Sequence, residues 1–575
     1  MQGGDERGIS GGGGQDASGK EDGAVCGWGG VHAAMVRPQT QAAHRAFAPS
    51  VFGHRLQASM RPCTPGTAER DDRRMAGSLR LAELIAAMSL ATDLGMGQPL
   101  EQGLRTCLTA LELADVAGVE QDSRGEVYYT ALLRFLGCTA DAHEAAALAG
   151  GDDVALRAAI APVLGGAPGE FLKAVVPALA AGQSAATRLR TTAVFLSAGR
   201  ARLRDGVRAH CEAAEMLAAR LGLPETIRRS LAASFETWDG HGFPDGLSGE
   251  AIPLPARIVF LARDIEVIAR LRGAEAVRAA LRDRAGHSLD PALAAAAMHS
   301  LDRLLDAART ERPWDEALGL EPHPVAEIPP QRVDEVLEVF ADFADLKWPA
   351  RAGFSRDVAA LASSAAPDHA ERLRRAGLVQ DLGRVAVPGS LEGSPADDER
   401  LRLHPYYSER IIARAPAVAP LARLAGMHHE RLDGSGYYRG AAGPELPWEA
   451  RVLAAADAFR ELLVAAAGRP APLARAADAL TLQAPQKLDR DAVDAVLAAA
   501  GLRDRRSHPA WPNGLTEREV EVLRLICRGA TKKDVAESLA ISPNTADHHV
   551  RHIYTKIGVS SRAAATLFAV EHDLL

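Results

Sequence analysis

The sequence predicts an all-α chain: two tandem helical domains of one type, then a small four-helix module, behind a disordered N-terminus. Three observations carry this. The 575 residues are rich in Ala, Leu and Arg, with 47% hydrophobic and 24% charged residues, a composition that favours helices. Apolar residues recur at helical spacing through most of the chain, with almost no strand-like alternation. And "WDGHGFPDGLSGEAIPLPARI" (238–258) returns as "LDGSGYYRGAAGPELPWEARV" (432–452), an offset of 194 that also carries His210 onto His404. A repeat of that size is a duplicated domain; solenoid periods are far shorter.

Taken in order, residues 1–75 begin "MQGGDERGISGGGGQDASGKEDG", polar and Gly-rich with no apolar period, and are expected to be disordered. They hold no apolar h-region of a signal peptide. Met75 directly precedes the first periodic segment, so an over-extended N-terminus is as good an explanation of them as a functional arm. The first copy is placed at 76–310. The Pro-rich "ERPWDEALGLEPHPVAEIPPQR" reads as a linker (311–330), the second copy spans 331–500, a tether follows (501–513), and the last module spans 514–575. The longest apolar runs are too short to cross a bilayer. Six scattered cysteines lack paired or zinc-type spacing, which suits a reducing, cytoplasmic compartment. A net charge of −8 gives no bulk signal for nucleic acid.

The second copy resembles the HD-GYP family of metal-dependent phosphohydrolases, all-helical domains of the HD superfamily. "VQDLGRVAVP", "RLHPYYSERI", "HHERLDGSGYY" and "RVLAAADAF" carry the resemblance. It implies metal ligands at Asp381, His404, His428, His429 and Asp457, a bridged metal pair, and a phosphodiester substrate such as cyclic di-GMP. Imidazoles and carboxylates are the donors that divalent iron or manganese takes, and paired ions lower the pKa of bound water. Two family positions depart: Phe354 and Gln380 stand where histidines are expected. Arg384 replaces a lysine and Tyr438 the proline of the GYP loop. A phenyl ring is no ligand and an amide a poor one, so the residues support at most one divalent ion (Fe or Mn). The first copy retains His210 in register. Gln102, Arg134, Phe135, Ser234 and Phe235 fill the other positions. Arg263 takes the place of the final aspartate, with Asp264 one residue late, about 100° round the helix. No metal is expected there.

In the last module, Thr516 with Glu519 and Thr531 with Asp534 read as capping boxes, Gly529 as a helix stop, and Ser542–Pro543 as N-cap and N1 of a helix ending at Gly558. Ala546, Val550, Ile553 and Ile557 form its core stripe. Thr545, His549, His552 and Lys556 form a second, acid-free stripe suited to a major groove. Asn544, Thr545, His548 and His549 lie near the end that meets base edges, while Lys556, Arg562, Lys532 and Lys533 are expected at phosphates. Eight Lys/Arg against eight Asp/Glu mean that attraction depends on placement. "LTEREVEVL", "SPNTADHHVRHIYTKIGV" and "SSRAAA" are similar to the LuxR-type DNA-binding domain, which implies double-stranded DNA as partner and a homodimer. The whole reads as a transcriptional regulator with degenerate HD-type sensory or dimerising domains, without a membrane anchor, whose second copy is the natural place for a nucleotide or phosphorylated ligand. The rival readings are a phosphohydrolase that also binds DNA, and a body that only dimerises the module.

Overall fold

The computed structural model describes residues 79–180, 184–389, 395–467, 469–502, 511–527, 530–539 and 541–559, with isolated positions to Leu574. The segment 1–75, Gly529 and most of the tether 501–513 lie outside the described residues. The described chain is helical, as expected, with one two-stranded exception.

The first copy runs β1 (Leu79–Arg80), α1 (Leu81–Gly95), α2 (Gln102–Val116), α3 (Gln121–Leu133), α4 (Ala142–Ala149), α5 (Asp153–Ile160), α6 (Pro168–Ala178), α7 (Ala185–Arg220), α8 (Glu225–Ala232), α9 (Leu254–Arg272), α10 (Ala274–Arg284), α11 (Pro291–His299) and α12 (Leu301–Arg309). Then come α13 (Pro313–Gly319) and β2 (Glu327–Ile328). The second copy holds α14 (Val333–Asp345), α15 (Phe354–Ala365), α16 (Ala370–Val379), α17 (Pro395–Arg402), α18 (His404–Ile412), α19 (Ala419–Ala425), α20 (Trp448–Ala465), α21 (Pro472–Gln483) and α22 (Arg490–Ala499). The last module has α23 (Glu517–Cys527), α24 (Lys532–Ser538) and α25 (Pro543–Ile557).

The segment 311–330, expected to be a linker, is instead built into the first copy. Pro313 starts α13, Trp314 and Ala317 are buried, and β2 pairs antiparallel with β1, Leu79 opposite Ile328. Arg80 donates to Glu321 at 2.9 Å. Proline at the first helical turn costs no hydrogen bond, so a Pro-rich stretch with buried Trp314 and Ile328 packs where composition suggested a spacer.

The duplication is visible in local detail. Asp93 accepts from the Gly103 amide at 3.0 Å, and Asp345 from the Ser355 amide at 2.8 Å, each joining the first two helices of its copy. In the loops that repeat at offset 194, buried Glu236 accepts from Asp245 and Gly246 and Glu430 from Arg439 and Ala441. Gly436 is required sterically: a Cβ there would meet the Arg431 nitrogen and Glu430 Cα at 2.5 Å. Between Phe135 and His210 the first copy carries an insertion, α4 to the first half of α7, with a small core of its own around Leu156, Val175 and Phe195. Asp153 of this insertion accepts from the Gly389 amide at 2.7 Å and pairs with buried Lys347 at 3.2 Å. One apolar core runs from Leu79 through the first copy into Val336, Phe340, Leu382 and Ile411 of the second. A further core joins α15, α20 and α22. The last module has its own, around Leu523, Val535 and Ile553.

Candidate metal centre and nucleic-acid interface

Gly383 sets up the second copy's centre. A Cβ on it would lie 2.3 Å from the His404 carbonyl oxygen, so only glycine lets the turn after Asp381 press against the start of α18. That contact brings Asp381 to His404, while α19 delivers His428 and His429 and α20 delivers Asp457. All five are buried.

The rings of His404 and His428 are oriented by the backbone. Nδ1 of His404 donates to the Leu401 carbonyl and Nδ1 of His428 to that of Ala425, both at 2.6 Å. Such bonds leave Nε2 as the ligand atom. The two Nε2 atoms are 3.0 Å apart, and Asp381 Oδ1 lies 3.2 Å from one and 3.6 Å from the other. Donors about 2.1 Å from a common ion stand about 3.0–3.4 Å apart, so this triangle fits one divalent ion. Asp381 Oδ1, His429 Nε2 and Asp457 Oδ2 are buried without a hydrogen-bond partner. His404, His428 and His429 offer nitrogens within 4.8 Å of one another, as do His429, Asp457 and Glu461 with their ligand atoms.

Electrostatics favours the ligand-competent forms at two histidines. Burial lowers the His404 pKa to about 4, and burial together with His428 and His404 holds His429 well below its usual range. His428 is raised: burial opposes protonation, but the nearby Asp381 and the charge of Asp457 prevail. Asp381 stays well below the carboxylate range, because Arg351, His404 and His428 outweigh its burial. Burial and the Glu461 charge lift Asp457 to about 7.

The two departures from the histidine pattern rewire the other half of the centre. Gln380 Nε2 donates to Asp457 Oδ1 at 2.8 Å, occupying a lone pair a metal would use. Phe354 is buried, and the Arg351 guanidinium carbon sits 3.4 Å from its ring centroid. Arg351 also donates to Asp381 Oδ2 and lies 3.6 Å from Glu461. A fixed guanidinium thus stands beside the vacated positions. Arg384 stacks over Trp348 at 5.2 Å, and the Tyr438 hydroxyl donates to Glu409 at 2.7 Å. Sequence reading missed Arg351, Glu461 and Tyr437. Arg351 precedes Phe354 by three residues, and Glu461 follows Asp457 by one helical turn, a readable signal. Tyr437, stacked on His429 at 4.7 Å, sits in the GYP-like loop just before Tyr438, which was a readable signal too.

In the first copy His210 donates to the Arg134 carbonyl at 3.3 Å, Ser234 to that of Ser230 at 3.1 Å, and Gln102 to Thr106 at 3.0 Å. Phe135 and Phe235 fill ligand positions, and Asp264 is paired with Arg263 and Arg284.

In the last module the expected punctuation is present. Ser542 accepts from the Thr545 amide at 3.1 Å, Thr531 and Asp534 form a capping box, and Gly558 closes α25 with φ 70°. Ala546, Val550, Ile553 and Ile557 are buried. Asn544, Thr545 and His548 are exposed at the start of α25, with His549 half-buried beside them, and Lys533 is exposed on α24. Four of the proposed contacts are otherwise engaged. Lys556 binds Glu519 at 2.7 Å and the Gly514 carbonyl at 2.9 Å, His552 lies 3.0 Å from Glu519, Lys532 pairs with Asp547, and Arg562 donates to the Ala530 carbonyl at 3.1 Å. The acid-free stripe of α25 meets an acid from α23, which spacing along one helix does not reveal.

A family model described as HD domain matches residues 200–293 and 338–492, and one described as bacterial regulatory proteins, luxR family, matches 513–569. The chain therefore carries an HD-type region and a C-terminal luxR-type helix-turn-helix. It is similar to the 3'3'-cGAMP-specific phosphodiesterase 3 of Vibrio cholerae, 28% identical over 397 residues that cover 66% of this chain and 86% of that protein. It is 33% identical over 156 residues to the cyclic di-GMP phosphodiesterase response regulator RpfG of Xanthomonas campestris, covering 25% of this chain and 38% of the relative. The crystal structure of the cyclic GMP-AMP-specific phosphodiesterase V-cGAP3 of V. cholerae shares the fold, with TM-score 0.50 at 23% identity over 74% of this chain and 99% of that one. No helix among the described residues is long and apolar enough to cross a membrane.

Proposed function

We propose that this chain is a sequence-specific DNA-binding transcriptional regulator whose HD-type body senses a ligand or dimerises the output module, and whose second copy hydrolyses cyclic dinucleotides negligibly. The observation that carries the loss of hydrolysis is the pair of departures at the centre: the Gln380 amide is spent on Asp457, and Phe354 offers no ligand while Arg351 over its ring holds Asp381. Asp381, His404 and His428 would hold one divalent iron or manganese ion, with His429 and Asp457 at its edge. That ion would supply Lewis acidity toward a phosphoryl oxygen. The chain's own residues would orient a phosphorylated ligand: Arg351 and Arg384 present fixed positive charge, and burial keeps His404 and His429 neutral. Asn544, Thr545, His548 and His549 would read base edges, and Lys533 would meet phosphate.

A second reading, a working phosphodiesterase with DNA-binding output, is favoured by the intact triangle of His404, His428 and Asp381 and the unpartnered His429 Nε2. Metal content and hydrolysis of cyclic di-GMP and 3'3'-cGAMP, measured on one purified sample, separate the two. At most one weakly held ion without turnover supports the regulator; two tightly held ions with turnover support the enzyme.

A further inference from the structure

Two positions of the first copy that correspond to the second copy's centre carry positive charge. Arg134 stands where the second copy has Gln380, and Arg263 where it has Asp457. Arg134, Arg263 and Arg284 are all buried, and Asp264 is the buried acid among them. Arg263 holds it at 2.8 Å and Arg284 at 2.6 Å. Glu170, more than a third exposed, lies 3.5 Å from Arg284. Glu170 is shared with Arg272 at 3.0 Å, so positive charge exceeds negative here, and Arg134 is left without a partner: it is 1% exposed, and none of its three guanidinium nitrogens has a hydrogen-bond partner.

Three rings surround that charge, Phe135 at 5.5 Å, Phe235 at 5.2 Å and Phe260 at 5.1 Å. They attract a cation through their faces but offer no strong acceptor to five N–H donors. A buried, unpaired guanidinium is among the costliest things a fold can retain. Burial lowers its pKa to about 9, so it remains charged at neutral pH.

The cover over this cluster belongs to the insertion that the second copy lacks. From the turn Ala161–Val163 into the start of α6, the segment "LGGAPG" (164–169) crosses Asp264 so closely that a Cβ on Gly165 would lie 2.8 Å from its Oδ2. Ser288 donates to the Gly165 carbonyl at 2.6 Å and Arg284 to that of Pro162 at 3.4 Å. Two side-chain hydrogen bonds thus fasten a glycine-rich flap.

We propose that the arginine cluster of the first copy is a binding site for a phosphoryl anion, held by Arg134 when the flap at 164–169 opens to admit it. A group with three or more acceptor oxygens matches the planar fork of free donors better than a carboxylate with two, and the surrounding rings exclude competing water.

The test uses the full chain in EDTA, which silences any ion in the second copy, and follows amide hydrogen exchange while inorganic phosphate or GMP is titrated. Saturable protection of the peptides covering 131–137 and 161–170, absent with chloride at matched ionic strength, is the expected result. It should be lost in Arg134→Met, which keeps the side-chain bulk without donors. Protection by GMP alone identifies a nucleotide's phosphate as the ligand; equal protection by phosphate identifies the free anion. Wild type unprotected by either probe, protected equally by chloride, or protected unchanged after Arg134→Met would overturn the proposal. The wild-type titration stands even if the variant does not fold.

Discussion

Glu519→Gln tests whether the last module is held together by the charge that sequence reading assigned to DNA. The Glu519 carboxylate, 5% exposed, takes Lys556 at 2.7 Å, His552 at 3.0 Å and the Thr516 amide at 2.7 Å. Burial pushes its pKa up, but these partners override it and bring it to about 2, against about 4.3 for free glutamate. Taken whole, that difference is worth about 3 kcal/mol. The Lys556 and His552 side chains are 26% and 60% exposed, and water screens such pairs, so about 1–2 kcal/mol is expected. Because the folded pKa lies below the unfolded one, this stability is fully present above about pH 4.5 and is lost as pH falls toward 2. Exchange of α23 and α25 amides in the full chain, corrected for intrinsic rates, should be faster in the variant by about tenfold at pH 7, with the gap more than half closed at pH 3. Freeing Lys556 should also steepen the salt dependence of DNA binding by about one unit. Equal exchange at pH 7, or a gap as wide at pH 3, would refute the reasoning.

Phe354→His with Gln380→His should raise the metal stoichiometry measured by elemental analysis, and adding Arg351→Ala should raise it further by releasing Asp381. Gly383→Ala should lower Tm, costing about 3 kcal/mol, since its Cβ would meet backbone at 2.3 Å; calorimetry checks this. Thr545→Ala or His548→Ala should alter sequence preference in a binding-site selection, whereas Lys533→Ala should weaken binding to all sequences alike and lower the salt slope by about one. His428→Ala should leave DNA binding intact by gel shift.

The helical class was legible, and the candidate ligands that the structure brings together were each legible from a motif whose neighbours in sequence are neighbours in space. His428 and His429 arrive together, and Asp457 follows Arg451 on one helix. The insertion was less legible: a single offset of 194 describes only the second half of each copy, since 142–200 has no partner segment to align. Arg351 and Glu519 act through other elements of the fold, and pairing across elements leaves no periodic trace in a sequence. The Pro-rich stretch at 311–330 misled because proline signals a turn and a helix start equally well, and Trp314 decided between them.

The single core that runs from Leu79 to Ile411 makes the duplicated halves joint tenants of one stability. Neither half can be cut away without baring the face its neighbour covers, so a deletion that ends between them should be degraded and should not survive as a smaller sensor. The same arrangement relieves the buried polar centres of any duty to hold the chain together. Such a molecule can lose a ligand in one half, acquire a guanidinium in the other, and remain folded throughout, which leaves chemistry free to drift while architecture is inherited whole.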